Sequence, residues 1–266
     1  MSTTYAIRVG GHLDDPWSES FAGLSVVRDA DGSSTLTGAI SGQAELYGVL
    51  AQLRDIGATL LDVHTVEVRP GIERPLRTER LTLRPAVLED SAATWAYRRL
   101  DSVNEWLTGS PSDPDAFRAH FADPARLART VVVQLGHGPT GAVIGDLMLR
   151  REDAWSQLGM ADVARGSQAE LGWVLDPAHR GHGYATEAVG ELVRYAFDDL
   201  AVRRVVANAF LANEASVRIM ERLGMRRELH AVRESLHRSG QWMDSVAYAL
   251  IDDEWRAARG SVGGSR

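Results

Sequence analysis

A short glycine-rich segment has the residue types and spacing that point most clearly to chemistry. It follows an apolar run that ends at Leu175, and it consists of Arg180, Gly181, His182, Gly183, Tyr184 and Ala185. Small residues at the start of a helix leave its first backbone N–H groups uncovered, and these groups attract anions. Arg180 adds a positive charge. The segment therefore predicts a cradle for a phosphate or pyrophosphate; the alternative interpretation is a tight connection that binds nothing.

The spacing of this segment matches neither of two common phosphate loops. It has no Gly-Lys-Ser/Thr and no Gly-x-Gly-x-x-Gly pattern, and the chain contains no lysine. Triphosphate chemistry usually needs a lysine and metal-binding carboxylates. A module that binds ATP at this turn is therefore the third of three interpretations.

A second segment places a hydroxyl on an otherwise apolar helix face. Asn213 is positioned to cap the helix and Gly224 to end it. Ser216 shares its face with Ile219, Met220 and Leu223. A hydroxyl that faces inward needs a partner. That partner is either the cap at Asn213 or a ligand held between this helix and a sheet.

The elements around both segments predict a mixed α/β sheet over residues 77–256. Expected helices cover about Val87 to Arg98 and the run that follows the glycine segment, whose apolar face carries Ala185, Ala188, Val189, Leu192, Val193, Ala196 and Phe197. A last hairpin turns at Ser239-Gly240, and residues 151–168 are expected to form a loop. Strands are expected at Leu81–Arg84, Val131–Val133, Ala142–Leu149, Glu170–Leu175 and Val205–Phe210.

Residues 1–67 predict a separate small α+β domain with the order β-(α)-β-β-α-β. Tyr5, Ile7 and Val9 alternate as in a strand, and an Asp31-Gly32 turn joins strands near Leu24–Arg28 and Ser33–Ile40. The spacing of Trp17, Phe21 and Leu24 is helical. A second helix with Leu46, Val49, Leu50 and Leu53 on one face is expected between Ser41 as its cap and Gly57 as its end, before a strand at Leu61 and Val63.

This first domain carries no group of residues that predicts an activity. His12 lies near Asp14 and Asp15, but such a cluster is more typical of a turn than of a metal site. Residues 68–76 contain Pro70-Gly71 and Pro75, which predict a linker. Residues 257–266 are expected to be a flexible tail.

Composition excludes several classes of function. The chain has 266 residues, a net charge of −7 and no cysteine, which rules out disulfides, thiolate metal sites and a cysteine nucleophile. We also expect no metal. Net acidity gives no global attraction to nucleic acid. No apolar run is long enough for a membrane helix, and the first residues lack the pattern of a signal peptide. We expect a soluble cytoplasmic protein without a membrane or nucleic-acid partner.

Together the two segments resemble the GNAT acetyltransferases, and more narrowly the RimJ/RimL branch of ribosomal-protein N-acetyltransferases. The resemblance rests on Arg180-x-x-Gly183-x-Ala185, a long helix, a strand, and then Asn213-x-x-Ser216-x-Arg218-x-x-Glu221-x-Leu223-Gly224-Met225. The opening from Thr78 to Pro85 and the ending from Gly240 to Leu250 also resemble that branch. The resemblance covers about residues 77–256 and does not include residues 1–67.

The resemblance implies direct transfer of acetyl from acetyl-CoA to an amine. Acetyl-CoA would lie between the splayed strands Glu170–Leu175 and Val205–Phe210. Glu170 would act as the base through a water, unless it is a structural carboxylate paired with an arginine, and Ser216 would stabilise the sulfur. The residues that the resemblance assigns to binding the donor are Trp173, Val174, Leu175, Arg180, Gly181, His182, Gly183, Tyr184, Ala185, Asn208, Asn213, Ser216 and Arg218.

The acceptor amine stays open between a protein N-terminus and a small molecule. The resemblance places the acceptor pocket at about residues 87–110 and 229–244, where Trp95, Asp101, Glu105 and Trp106 suit a cationic amine or plain packing. The second interpretation of the whole chain is a catalytically weak acetyl-CoA sensor that binds a partner. The exposed strand of the last hairpin could pair with a second copy, so a homodimer is left open.

Overall fold

The computed structural model divides the chain into two units. It describes residues 3–13, 21, 23–29, 31–66, 69–109, 113–138 and 140–263, with side chains up to residue 259. One unit takes its described residues from Met1–Arg69, Val87–Ala92 and Pro111–Ala128, and the other from Pro70–Ala86, Ala93–Ser110 and Arg129–Arg266.

The first unit contains a four-stranded antiparallel sheet with the order β2-β3-β1-β4. Its strands are β1 (Thr3–Gly10), β2 (Leu24–Arg28), β3 (Ser33–Ile40) and β4 (Thr59–Thr65), and helix α1 (Gln43–Asp55) connects β3 to β4. This strand order is that of the split βαβ fold. The core contains Ile7, Val9, Leu36, Ile40, Leu46 and Leu53.

Several expectations for this unit can be compared with the structure. The hairpin is confirmed, because β2 and β3 have the predicted bounds and Gly32 has φ +85° at the turn. Leu24 begins a strand rather than a helix, and Trp17, Asp14 and Asp15 lie outside the described residues. The expected cap Ser41 is wrong: Gly42 is the N-cap, and Ser41 donates from its backbone N–H and its hydroxyl to the Glu45 carboxylate.

The second unit contains an eight-stranded sheet with the order β11-β12-β10-β9-β8-β7-β6-β5. Its strands are β5 (Leu76–Arg77), β6 (Leu81–Pro85), β7 (Thr130–Leu135), β8 (Val143–Glu152), β9 (Gln168–Leu175), β10 (Arg204–Phe210), β11 (Arg226–Leu236) and β12 (Trp242–Ile251). Only β9 and β10 pair in parallel, so the predicted mixed sheet is confirmed.

The remaining helices follow the sequence with three differences, one of which is that the last helix covers residues 257–263, which were expected to belong to a flexible tail. They are α2 (Ser91–Arg98), α3 (Asp101–Asn104), α4 (Pro114–Phe121), α5 (Pro124–Arg129), α6 (Ala161–Ala164), α7 (Tyr184–Asp198), α8 (Glu214–Arg222) and α9 (Asp252–Gly263). A 3-10 turn at Leu88–Asp90 precedes α2, so the α-helix starts later than expected, and the expected loop over residues 151–168 contains α6. None of the helices that the structure describes is long and apolar enough to cross a bilayer.

Helix α7 and the centre of the sheet form the main core of the second unit. The predicted apolar face of α7 is buried from Ala188 to Phe197, against Ala169 and Leu171 of β9 and Val205 of β10. The segment predicted as a linker also contributes to this core, since Ile72 and Leu76 are each 2% exposed. Burial of α7 fixes its N-terminus, which carries the glycine segment, beside the ends of β9 and β10.

Candidate active site

A V-shaped opening separates the carboxyl ends of β9 and β10. The two strands pair only where Gln168–Glu170 faces Arg204–Val206. Beyond these residues β9 continues to Leu175 and β10 to Phe210, with β9 paired to β8 and β10 to β12. The opening therefore lies between the two strands for which the family resemblance implied it.

The open edge of β9 presents backbone groups of Trp173 and Leu175. The N–H of Asp176 donates to the Ile144 carbonyl at 2.9 Å, on the β8 side. Backbone groups in an antiparallel pair alternate between the two sides of a strand, so Val174 also faces β8, in register with Asp146. The groups of Trp173 and Leu175 then face the opening. The side chain of Val174 packs with Tyr97 and Val103.

The glycine segment forms an anion nest, defined here as the backbone N–H groups of residues 181–186. Gly183 is the N-cap of α7 and has φ +79°, and Gly181 has φ +82°. The first bond of the helix runs from the Glu187 N–H to the Gly183 carbonyl at 3.0 Å, and no N–H of residues 181–186 has an acceptor within the described chain. Consecutive free N–H groups of this kind bind anions.

Arg180 adds a free cation to the nest. Its side chain is exposed and makes no hydrogen bond or ion pair with the residues that the structure describes. His182 stacks on Tyr184 with ring centroids 5.4 Å apart. The nest therefore combines uncovered backbone donors with an available guanidinium, as a phosphate group requires.

Arg80 and Glu187 form an ion pair that contacts the glycine segment, and the sequence did not predict this pair. Arg80 pairs with Glu187 at 2.6 Å and donates from Nη1 to the His182 carbonyl at 2.9 Å. Thr78 also donates its hydroxyl to Glu187. Burial raises the pKa of Glu187, but the hydrogen bonds from Thr78 and Arg80 outweigh this effect and lower the pKa below its usual value. No spacing rule connects Arg80 to Glu187, so only the fold identifies the pair.

The cap of α8 uses the backbone of Ser216 and leaves its hydroxyl without a bond. Asn213 is the N-cap as predicted, and its Oδ1 accepts the Ser216 N–H at 3.3 Å. Within the described residues the Ser216 hydroxyl has no hydrogen-bond partner, while Arg218 pairs with Glu214 at 2.9 Å. Gly224 ends the helix with φ +75°. Capping therefore does not occupy the hydroxyl.

Glu170 lies where the two strands separate, on the face opposite α7. Asn208 donates from Nδ2 to Glu170 Oε1 at 3.1 Å, and Arg150 pairs with Oε2. The Glu170 side chain is 18% exposed. Side chains alternate along a strand, so Asn208 and Phe210 share this face of β10. Glu170 is therefore both paired with an arginine and within reach of solvent beside the opening.

Aromatic side chains cluster at the end of β10 on the same face as Glu170. Phe210 lies 6.1 Å from Trp106 and 5.5 Å from His237, measured between ring centroids. His237 is 9% exposed, with Nε2 2.7 Å from the Glu105 carbonyl oxygen. The sequence indicated Trp106 but missed His237, which lies more than a hundred residues away.

An open depression of about 390 Å³ adjoins this aromatic cluster. It brings together parts of both predicted acceptor segments, since α3 and the β11–β12 turn contribute to it. Trp95 is half-buried on α2 and does not line the depression. The lining residues are Asp101, Ser102, Asn104, Glu105, His237 and Arg238.

A buried ionic triad supports the sheet beside the opening. Asp146 of β8 accepts from Tyr97 Oη at 2.7 Å and from Arg98 Nε at 2.8 Å. Tyr97 is 2% exposed, and burial together with the Asp146 charge raises its pKa well above the usual value. Asp146 faces Val174 across the β8–β9 pair, so the triad links α2 to the edge of the opening.

Comparisons with known proteins identify families for two parts of the chain. Residues 80–226 match the acetyltransferase (GNAT) domain, and residues 4–64 match a domain of unknown function, DUF8691. The described residues hold no group of three histidine, aspartate or glutamate side chains that could bind a metal ion.

Individual relatives agree with the domain match. YdaF of Bacillus subtilis, whose name reads "putative ribosomal N-acetyltransferase", is 35% identical over 187 residues, 68% of this chain and 96% of its own. The [ribosomal protein uS5]-alanine N-acetyltransferase of Escherichia coli is 32% identical over 101 residues, 37% of this chain and 52% of its own. The chain spans about half the length of several curated relatives, with 50% of one and 55% of another.

A solved structure has the same fold. The GNAT-family acetyltransferase from Bacillus anthracis superimposes with a TM-score of 0.57 at 25% identity, over 68% of this chain and 99% of that one. The resemblance to the ribosomal-protein branch is confirmed at the level of homology. With more than half of its length matched by the domain, the chain belongs to the GNAT acetyltransferases.

Proposed function

We propose that this protein transfers acetyl from acetyl-CoA directly to a primary amine. The observation that carries the proposal is the V-shaped opening, whose free strand edge leads to the anion nest at the start of α7. An elongated donor with a diphosphate at one end and amides along its arm fits this arrangement, in which a free strand edge leads to an anion nest. A phosphate alone would need only the nest.

The donor's polar groups have partners along the opening. Its diphosphate would be held by the nest and by Arg180, and its amides would pair with the β9 edge at Trp173 and Leu175, as in β-strand addition. Asn213 and Asn208 flank the opening on the β10 side. Arg218 would add a charge on the exposed face of α8, in addition to its pair with Glu214.

The chemistry requires a neutral amine and a stabilised thiolate. Acetyl-CoA supplies the thioester carbonyl that the amine nitrogen attacks; the C–N bond forms as the C–S bond breaks. Glu170 would accept the amine proton through a water, because its carboxylate lies at the opening and is 18% exposed. Ser216 would donate its unoccupied hydroxyl to the sulfur. Positioning of the two reactants contributes much of the rate.

The acceptor would enter beside the aromatic cluster. Asp101 and Glu105 give the depression acidic groups, while Trp106 and Phe210 supply aromatic surface for a cationic amine. The names of two relatives support a ribosomal-protein N-terminus as one acceptor class, and a small-molecule amine is the other. A second copy of the chain could pair along β11, which is at the edge of the sheet.

We also propose a domain organisation for the chain. Residues 1–67 would form an auxiliary domain, residues 68–76 the connection and residues 77–256 the acetyltransferase domain. Residues 257–266 would be a C-terminal tail that starts within α9. Separate family matches over residues 4–64 and 80–226 support this division. Burial of Ile72 and Leu76 in the second unit indicates that the end of the connection packs with the enzyme.

Replacement of Glu170 tests the proposed base. Glu170→Gln should lower kcat by about 100-fold or more, in the range typical of a lost general base. The glutamine retains an oxygen for Asn208, so the KM for acetyl-CoA should change little. The remaining rate should rise with pH, since the solution must now supply the deprotonated amine. Steady-state release of free thiol, with mass spectrometry of the acceptor, measures these effects.

Glu152→Gln is the matched control, because Glu152 is the other carboxylate that pairs with Arg150, at 2.9 Å. Its kcat should stay near that of the wild type. If Glu170→Gln behaves like Glu152→Gln, Glu170 is a structural partner of Arg150 and the base lies elsewhere.

A further inference from the structure

We infer that Arg80 is a positioning residue that fixes the anion nest for the diphosphate of the donor. The inference rests on the proposed function and adds a residue outside the opening itself. Arg80 precedes β6 and lies far in sequence from the glycine segment. Its role would be to hold one conformation of the nest and to neutralise a carboxylate beside it.

Arg80 is bonded to Glu187 through both its backbone and its guanidinium. The Arg80 backbone N–H donates to Glu187 Oε1 at 2.9 Å, and Nε donates to Oε2 at 2.7 Å. The Arg80 carbonyl accepts the Gly136 N–H at 2.8 Å, which ties the arginine to the β7–β8 turn. Both its backbone and its guanidinium are therefore fixed relative to the first turn of α7.

Arg80 also contacts the glycine segment directly. Nη1 donates to the His182 carbonyl at 2.9 Å, and the guanidinium lies 4.7 Å from the centre of the Tyr184 ring. In a planar trans peptide the carbonyl and the following N–H point in opposite directions. Because the His182 carbonyl points toward Arg80, the Gly183 N–H points away from the Arg80 guanidinium. This N–H is therefore available to an anion.

Arg80 also acts on the nest through its charge, because it pairs with the carboxylate of Glu187. Glu187 lies in the first turn of α7, with its side chain 15% exposed, and an ionised carboxylate there opposes the approach of a diphosphate. Against the effect of burial, the hydrogen bonds from Thr78 and Arg80 lower the pKa of Glu187, so its carboxylate stays ionised. The positive charge of Arg80 compensates the negative charge of that carboxylate. Removal of Arg80 would release the His182 peptide and leave the charge of Glu187 uncompensated.

A comparison of two donors tests the inference. Acetyl-pantetheine has the same thioester and amides as acetyl-CoA but no diphosphate. Arg80→Ala should raise the KM for acetyl-CoA by about 10- to 100-fold, as expected for the loss of one or two charge-assisted bonds. The kcat with acetyl-CoA, and kcat/KM with acetyl-pantetheine, should stay near the wild-type values. Arg80→Ala/Glu187→Gln should recover part of the affinity, because it removes the uncompensated charge.

Two further variants guard against loss of folding. Arg80→Lys keeps the charge but lacks the planar guanidinium that bonds Glu187 and the His182 carbonyl from separate nitrogens, so its KM for acetyl-CoA should be intermediate. Arg194→Gln removes an arginine of α7 that lies away from the nest and pairs with Glu191 and Asp199. This variant should have wild-type kcat and KM values with both donors.

The results distinguish failure of the Arg80 role from failure of the proposed acetyl transfer. A selective rise in the KM for acetyl-CoA supports the positioning role. An equal loss of kcat/KM with both donors in Arg80→Lys would overturn that role, and so would an unchanged KM for acetyl-CoA in Arg80→Ala and Arg80→Lys. Either result would leave the proposed function standing. Absence of acetyl-CoA turnover and binding in the wild-type protein would overturn the proposed function, and this inference with it.

Discussion

Gly183→Trp is expected to remove measurable acetyl-CoA binding, with an affinity loss of at least about 100-fold. Gly183 has φ +79°, which only glycine adopts readily, and it lies in the middle of the nest. A Cβ added there would lie 3.6 Å from Arg80 Nη2, so an indole would displace the guanidinium that orients the nest. Loss of two charge-assisted hydrogen bonds, at about 1.5–3 kcal/mol each, accounts for this magnitude. Calorimetric titration with acetyl-CoA measures it.

Gly57→Trp is the matched control for this change. Gly57 also has a positive φ, +77°, with no neighbouring atom within 4 Å of an added Cβ, and it ends α1 in the first unit. It should suffer the same backbone strain and bind acetyl-CoA as the wild type does. Undiminished binding by Gly183→Trp would show that the diphosphate lies outside the nest.

Asp146→Asn is expected to lower the free energy of unfolding by about 3–5 kcal/mol. The substitution keeps the volume of the side chain but leaves Arg98, whose side chain is 13% exposed, without its counter-ion. Breaking a buried ion pair from one side has a cost of this size. Tyr97 would also lose a charged acceptor at 2.7 Å. Urea unfolding, followed by tryptophan fluorescence, gives the difference.

A double replacement shows whether the charge causes the loss. Arg98→Met/Asp146→Leu removes both charges and should be markedly more stable than Asp146→Asn, since apolar residues often replace a buried ion pair at little cost. If Asp146→Asn loses less than about 1 kcal/mol, the triad is solvated and does not support the opening.

Local patterns predicted most of the framework. The bounds of β2 and β3 follow from strand alternation and from the short turn that contains Asp31-Gly32, because both patterns act within a few residues. The cap at Asn213 followed from the same kind of short-range rule. Ser41 failed as a cap because Glu45, four residues on, takes its hydroxyl and its backbone N–H.

Parts of the candidate site that depend on distant contacts were not predictable. The nest is encoded in six consecutive residues, so its sequence indicated it. Arg80 and Glu187 are 107 residues apart, and His237 is 132 residues from Glu105. Their types alone carry no signal for pairing, and only the order of strands in the sheet brings them together.

The most direct test of the account is calorimetric titration of the wild-type chain with acetyl-CoA, with ATP titrated in parallel. A donor that uses both the nest and the β9 edge should bind at one site per chain and bind more tightly than ATP, which can use only the nest. No saturable heat with acetyl-CoA, or tighter binding of ATP, would contradict the claim that the V-shaped opening and the nest together form an acetyl-CoA site.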